Sequence, residues 1–217
     1  MNQVLGSLEW SLPTSVLLSN TPQIIISFAY LFYNSIFTCM TLSYEYGRFA
    51  TVRKPLRVSQ PSPSGTQRSS FWLQLPYRYI IPVMAAITLL HWTVSRSLYL
   101  IQLTVYDEDG AQIPSESFKG CGFSPYPILF SLVIGAAMMI ALLWLSRRQL
   151  EPTVPLAASC SLAISAATHA AQGETDAAIM PIQYGIVPAA GKDEEGYRRI
   201  GFSSERVEPL SLTEVYR

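Results

Sequence analysis

Charge, histidine and cysteine are all scarce in this sequence of 217 residues. Charged residues make up 14% of it, against about 25% in soluble domains. Fifteen cations balance fifteen acids, so the formal net charge is zero. Without a basic excess, overall charge gives no support to nucleic-acid binding. Two histidines leave no His-rich metal site. The three cysteines, Cys39, Cys121 and Cys160, are too few and too scattered for a disulfide framework or a CxxC metal site. The GxSxG, HExxH, P-loop and GxGxxG patterns are missing as well, so no catalytic residue, metal or cofactor is expected. Neither Asn2, Asn20 nor Asn34 opens a glycosylation sequon.

What the chain has instead is apolar length: 49% hydrophobic residues and a mean hydropathy of +0.24. Three stretches, 22–44, 79–103 and 125–146, are long enough to cross ~30 Å of hydrocarbon at ~1.5 Å per helical residue. Unpaired backbone amides are costly in lipid, so such stretches are expected to be helices. The expected fold is therefore all-α, a multi-pass transmembrane bundle with three spans. A fourth segment, 154–171, is short and mostly alanine, serine and threonine, and is read either as a fourth crossing or as a re-entrant helix. The polar tail, 172–217, is expected to be weakly ordered. Within it 182–187 and 200–203 suit short strands, but without a larger apolar set they cannot build a core alone.

Charge beside the spans sets the direction. No Lys or Arg precedes Arg48, whereas Arg48, Arg53, Lys54, Arg57, Arg68 and Arg78 follow the first span, against Glu45. By the positive-inside rule, 45–78 is cytoplasmic and 1–21 is a non-cytoplasmic, irregular segment. The loop 104–124, with Asp107, Glu108, Asp109 and Glu116 against Lys119, is then non-cytoplasmic, and Arg147 and Arg148 end the third span inside. The first 21 residues lack the features of a signal peptide. Cys121 falls in the outer loop, where it is read either as a free thiol or as a partner for a cysteine of another chain.

Polar residues in the spans recur at helical spacing. Ser27, Tyr30, Asn34, Thr38 and Thr41 form one face of the first span, and Thr88, His91, Ser95 and Gln102 continue the pattern in the second. Such faces are expected to meet other helices rather than lipid. His91 either marks a proton path or holds a neutral imidazole bonded to a neighbouring helix, through Asn34 or a carbonyl. Arg96 is expected to snorkel to the outer interface, and Trp72, Tyr77, Arg78 and Tyr79 to anchor the inner end of the second span. Small residues four apart in the third span, Ser131 with Gly135 and Ala137 with Ala141, permit close helix approach.

The loop 51–70, rich in proline and serine, reads as a solvated linker. Its cations Arg53, Lys54 and Arg57 are candidates for contact with anionic lipid heads, and Ser59 beside Arg57 is a candidate phosphorylation site.

Several runs carry a resemblance: Leu17 to Gln23, Gln67 to Ser70, Leu73 to Tyr79, His91-Trp92, Val105 to Gly110, Cys121 to Pro125 and Cys160 to Ser165. Over about Glu9 to Pro188 the chain resembles the carboxy-terminal part of a family of uncharacterised fungal multi-pass membrane proteins, described by a domain of unknown function in their amino-terminal half. The resemblance implies further spans beyond those seen here, as in a fragment or shortened relative, and no activity. The expected function is thus a part of a larger helical bundle in a transporter, channel or receptor-like assembly. The alternatives are a small scaffold whose basic loop binds a partner or anionic lipid, and a membrane enzyme or proton-coupled carrier using His91. The expected partners are the bilayer and other transmembrane helices, with neither nucleic acid nor metal.

Overall fold

The computed structural model describes residues 3–4, 11–70, 73–115, 117–151, 154, 161–169, 174–187 and 197–211. Trp72, Glu116, Cys160 and the charged run 192–195 lie outside the described residues. In chain order the elements are β1 (Gln3–Val4), α1 (Leu12–Thr51), β2 (Arg57–Val58), β3 (Arg68–Ser69), α2 (Tyr77–Ser97), β4 (Leu98–Leu103), β5 (Phe118–Phe123), α3 (Pro125–Ser146), α4 (Ser161–Thr168), a 3₁₀ turn (Ala177–Ile179), β6 (Gln183–Ile186) and β7 (Ile200–Ser203). Among the described residues three helices, α1, α2 and α3, are long and apolar enough to cross a membrane. Three small sheets accompany them, so the all-α expectation holds only for those long elements.

The chain forms two compact units: Met1–Ser35 with Ile81–Leu143, and Ile36–Ile80 with Trp144–Arg217. In the first unit, α1 begins ten residues before its expected start. Ser11 shares a hydroxyl hydrogen bond with Thr14 at 2.8 Å, Ser15 N–H donates to the Ser11 carbonyl at 3.1 Å, and Pro13 sits in the first turn, where its missing N–H costs nothing. The segment 12–21, expected to be irregular, is therefore helical. Ser15 is nearly fully buried, and the Cys121 thiol donates to its carbonyl at 3.6 Å. Cys121 is a free thiol, buried within this unit.

The second expected span is corrected at its end. Its helix stops at Ser97, whose hydroxyl turns back to the Val94 carbonyl at 2.7 Å, and Leu98–Leu103 continues as a strand. β4 pairs antiparallel with β5 from Leu98 opposite Phe123 to Leu103 opposite Phe118, and β1 adds to the other side of β5. An apolar run of this length carries no period that separates strand from helix. The pairing partner lies some fifteen residues on. Between the strands, the Asp107 carboxylate accepts the N–H groups of Asp109 and Ala111 at 3.0 and 2.8 Å, and Gly110 takes φ +80°, a conformation open to glycine. Arg96 is exposed in the last turn of α2, one residue from its end.

The second unit has an aromatic core. Phe49 in the last turns of α1 packs with Val154, Ile182, Tyr184 and Phe202, flanked by Tyr46, Ala50, Leu56, Ile200 and Leu210. Phe202 meets Tyr184, Tyr46 and Phe49 edge-on, at ring-centre distances of 5.1, 5.3 and 5.4 Å, the arrangement that aromatic quadrupoles favour. β6 and β7 form an antiparallel pair, Gln183 opposite Ser203 to Ile186 opposite Ile200. The tail is thus more ordered than expected over 182–187 and 197–211, because the end of α1 supplies the apolar set that the strands lack.

The loop after α1 is also no free linker. Lys54 and Ile182 exchange backbone hydrogen bonds at 3.0 Å in both directions, Thr66 N–H donates to the Ile179 carbonyl at 2.8 Å, and the Gln67 amide donates to the Ala178 carbonyl at 2.8 Å. The Arg53 guanidinium donates to the carbonyls of Ser204 and Glu205. β2 and β3 run parallel within the loop. Of 154–171, the described part holds the eight-residue α4, about 12 Å of helix, too short alone for ~30 Å of hydrocarbon. α4 lies against β7, and the Arg199 guanidinium donates to the His169 carbonyl just past its end at 2.9 Å.

Candidate functional site

A cavity of about 470 Å³ lies within the second unit, lined by the last turns of α1 (Thr41, Tyr44, Glu45, Arg48), the following loop (Lys54, Pro55, Arg57, Arg68) and the start of α2 (Pro76, Tyr77, Arg78, Tyr79). Five cations face one carboxylate. That carboxylate is fully engaged: Arg57 donates from Nε to Glu45 Oε1 at 2.8 Å and from Nη2 to Oε2 at 2.7 Å, a two-pronged charge-assisted pair. A third Arg57 bond, from Nη2 to the Gln74 carbonyl at 2.9 Å, fixes the guanidinium. Arg57 and Glu45 therefore cancel, and Arg48, Lys54, Arg68 and Arg78 form no ion pair among the described residues.

Lys54 is the most constrained of these. Its ammonium donates to the Glu45 carbonyl at 2.9 Å and lies 4.3 Å from the centre of the Phe49 ring. Burial, with the like charges of Arg48, Arg57 and Arg68 outweighing part of the pull of Glu45, lowers its pKa to about 8. A cation half stripped of water among other cations is ready to meet an anion. Arg148 is held beside the cavity wall by aromatic rings, 4.5 Å from the centre of Trp144 and 4.9 Å from that of Tyr44, with Nη1 donating to the Tyr79 hydroxyl at 3.3 Å.

Of the three lipid-facing candidates, Lys54 and Arg57 line this cavity, while Arg53 is spent on the carbonyls of Ser204 and Glu205 and has a positioning role. Arg48, Arg68 and Arg78 complete the wall. Their convergence was not legible from spacing, because the chain folds back between Arg48 and Arg68. Ser59 is exposed.

The two polar faces take different forms. On α1, Ser27 is exposed, Tyr30, Asn34 and Thr38 are half-buried, and Thr41 is buried. Ser27 and Thr41 donate to carbonyls four residues back, of Gln23 and Phe37, at 2.9 and 2.8 Å. On α2, Thr88 donates to the Met84 carbonyl and Ser95 to that of Trp92, both at 2.8 Å. Such back-bonding satisfies a hydroxyl without a second helix. His91 does reach another helix, but its partner is Gln23 and not Asn34: the ring Nδ1 and Gln23 Oε1 are 2.9 Å apart, and Gln23 Nε2 donates to the His91 carbonyl at 3.0 Å. Two further links were unforeseen: Ser131 Oγ donates to Thr93 Oγ1 at 2.9 Å, and the Tyr33 hydroxyl donates to the Met138 carbonyl at 3.2 Å. The sequence presents Ser131 only as a small residue.

Among the described residues no group of three or more His, Cys, Asp or Glu is placed to hold a metal ion. Comparison with curated proteins and with solved structures finds no match. A family defined by a domain of unknown function does match, and over nearly the whole length of this chain. From residue 5 to residue 207 the match is continuous, and the chain belongs to this family, the domain of unknown function DUF8419.

Proposed function

We propose that the chain is a multi-pass integral membrane protein and one part of a larger helical bundle of transporter, channel or receptor-like kind, akin to the fungal proteins its motifs resemble. Its amino-terminal end lies on the non-cytoplasmic side, with 45–78 in the cytoplasm. The observation that carries this is the exposure of large apolar side chains on the long helices. Leu31, Phe32, Leu132 and Ile140 are each 60% or more exposed, which water would penalise and lipid accepts. The half-buried Tyr30, Asn34 and Thr38 form the stripe offered to further helices.

Cysteine accessibility in the full-length chain tests the topology. A cysteine introduced at Asp109 is expected to react with a membrane-impermeant maleimide from outside intact cells, and one at Ser59 only after the membrane is opened. The reverse pattern would reject the orientation, and labelling of both from outside would reject a second span.

The cavity supports a second reading, in which the basic loop serves an anionic lipid or partner. A carrier or enzyme working through His91 has less to draw on, since Nδ1 of the ring is tied to Gln23. Full activity of His91→Phe in a flux assay, at equal protein level, would end that reading.

A further inference from the structure

The cationic cavity carries a more specific assignment. It gathers Arg48, Lys54, Arg68 and Arg78 from three parts of the second unit, and among the described residues the one carboxylate on its wall, Glu45, is already matched by Arg57. Like charges brought together without counter-charge oppose the fold that gathers them, and a bound anion relieves that opposition. Arginine forks suit the oxygens of a phosphate better than a single carboxylate, and a volume near 470 Å³ fits the ~300–1,000 Å³ range of small-ligand sites. The wall also contains Tyr44, Tyr77 and Tyr79, with Trp144 nearby across Arg148. Aromatic rings and cations at the ends of apolar helices are the mark of the head-group layer of a bilayer.

We propose that this cavity binds a phosphate-ester anion with more than one phosphate, of the kind borne by a polyphosphorylated lipid head group or by its free soluble counterpart. The assignment rests on the second reading above. Nucleic acid is a poorer occupant, because the cations converge on one hollow rather than tracking a strand, and the chain as a whole has no basic excess.

The test uses the full-length protein in phosphatidylcholine nanodiscs, titrated separately with short-chain phosphatidylinositol bisphosphate, inositol trisphosphate, short-chain phosphatidylserine and polyglutamate. Saturable binding of the bisphosphate lipid is expected, at least about tenfold tighter than that of phosphatidylserine. Equal binding of inositol trisphosphate would point to the head group alone as the ligand, and binding of the lipid only to a membrane source; both support the assignment. Arg68→Gln with Arg78→Gln removes two exposed guanidinium groups and is expected to weaken binding at least about tenfold while the melting temperature of the ligand-free protein does not fall. Equal affinity for phosphatidylserine, or undiminished binding by that double variant, overturns the assignment. Binding of polyglutamate without either phosphate ligand overturns it too but leaves the anionic-partner reading standing, whereas binding of none of the four removes both.

Discussion

Gln23 and His91 hold one another through both of their polar ends, the imidazole nitrogen against the amide oxygen at 2.9 Å and the amide nitrogen against the His91 carbonyl at 3.0 Å. Each partner satisfies the other, so losing either leaves an unpaired polar group on an apolar helix. A double-mutant cycle of Gln23→Leu and His91→Phe, read by unfolding in mixed detergent, is expected to give a coupling of about 0.6–1.7 kcal/mol, the range of interhelical hydrogen bonds in membrane proteins. A coupling near zero would mean that the two groups are held by their surroundings and not by each other.

Phe202 stands among three other rings, so its truncation should damage the second unit as a whole. Phe202→Ala is expected to destabilise by about 3–5 kcal/mol. Limited proteolysis should then cut within 182–187 or 197–211 at protease levels that leave those segments intact in the parent chain.

At Gly185 a methyl group would lie 2.6 Å from the Glu208 carbonyl oxygen, an atom fixed by the backbone bonds between Glu208 and Ile186. Gly185→Ala cannot be absorbed by turning a flexible side chain aside. It is expected to cost about 1–3 kcal/mol, by the rule for overpacked sites, with a matching fall in the melting temperature. By contrast a methyl group at Gly135 meets nothing within 4 Å, so Gly135→Ala should not lower stability and is expected to raise it by up to about 1 kcal/mol.

Lys54 predicts a pH dependence of definite sign. Its folded pKa of about 8 is below the usual value of 10.5, so between these limits the unfolded chain holds the proton that the folded chain has released. Stability therefore rises with pH across that window, and the penalty of the buried charge is present in full below it. The groups facing Lys54 are Glu45, which opposes the shift, and Arg48, Arg57 and Arg68, which add to burial. Tyr184, raised by its own burial, acts the other way only above its normal pKa of 10. Melting curves from pH 7.5 to 9.5 should climb for the parent chain and lose that slope in Lys54→Met. Equal slopes would place the origin elsewhere.

The three long helices could be read from hydrophobic length because backbone satisfaction in lipid leaves an apolar run few alternatives. Their ends could not. Leu98–Leu103 is as apolar as the helix before it, and only Phe118–Phe123, beyond a polar loop, makes it a strand. Ser11 and Pro13 do form a readable helix start, although it lies ten residues ahead of the long apolar run. The strands 182–187 and 200–203 were legible from their residue types, but not their support, since Phe49 and Tyr46 lie more than 130 positions away in sequence. The cavity was half visible: its cations were counted for their sign beside a membrane, while the Glu45–Arg57 pair that frees the others depends on how the loop returns.

The backbone exchange between Lys54 and Ile182, with Gln183 bonding the Ala50 carbonyl at 3.2 Å, makes the end of α1 and the tail a single folded object. A fusion that truncates the chain after Arg148 or Gly173 deletes half of that object. It strips Phe49 of its packing and releases the loop that carries the basic residues. Reporters attached to such stumps would follow a chain that lacks the packing around Phe49. Insertions into the exposed turn at 107–110, or tags placed past residue 211, keep the fastening intact and report on the protein in its folded form.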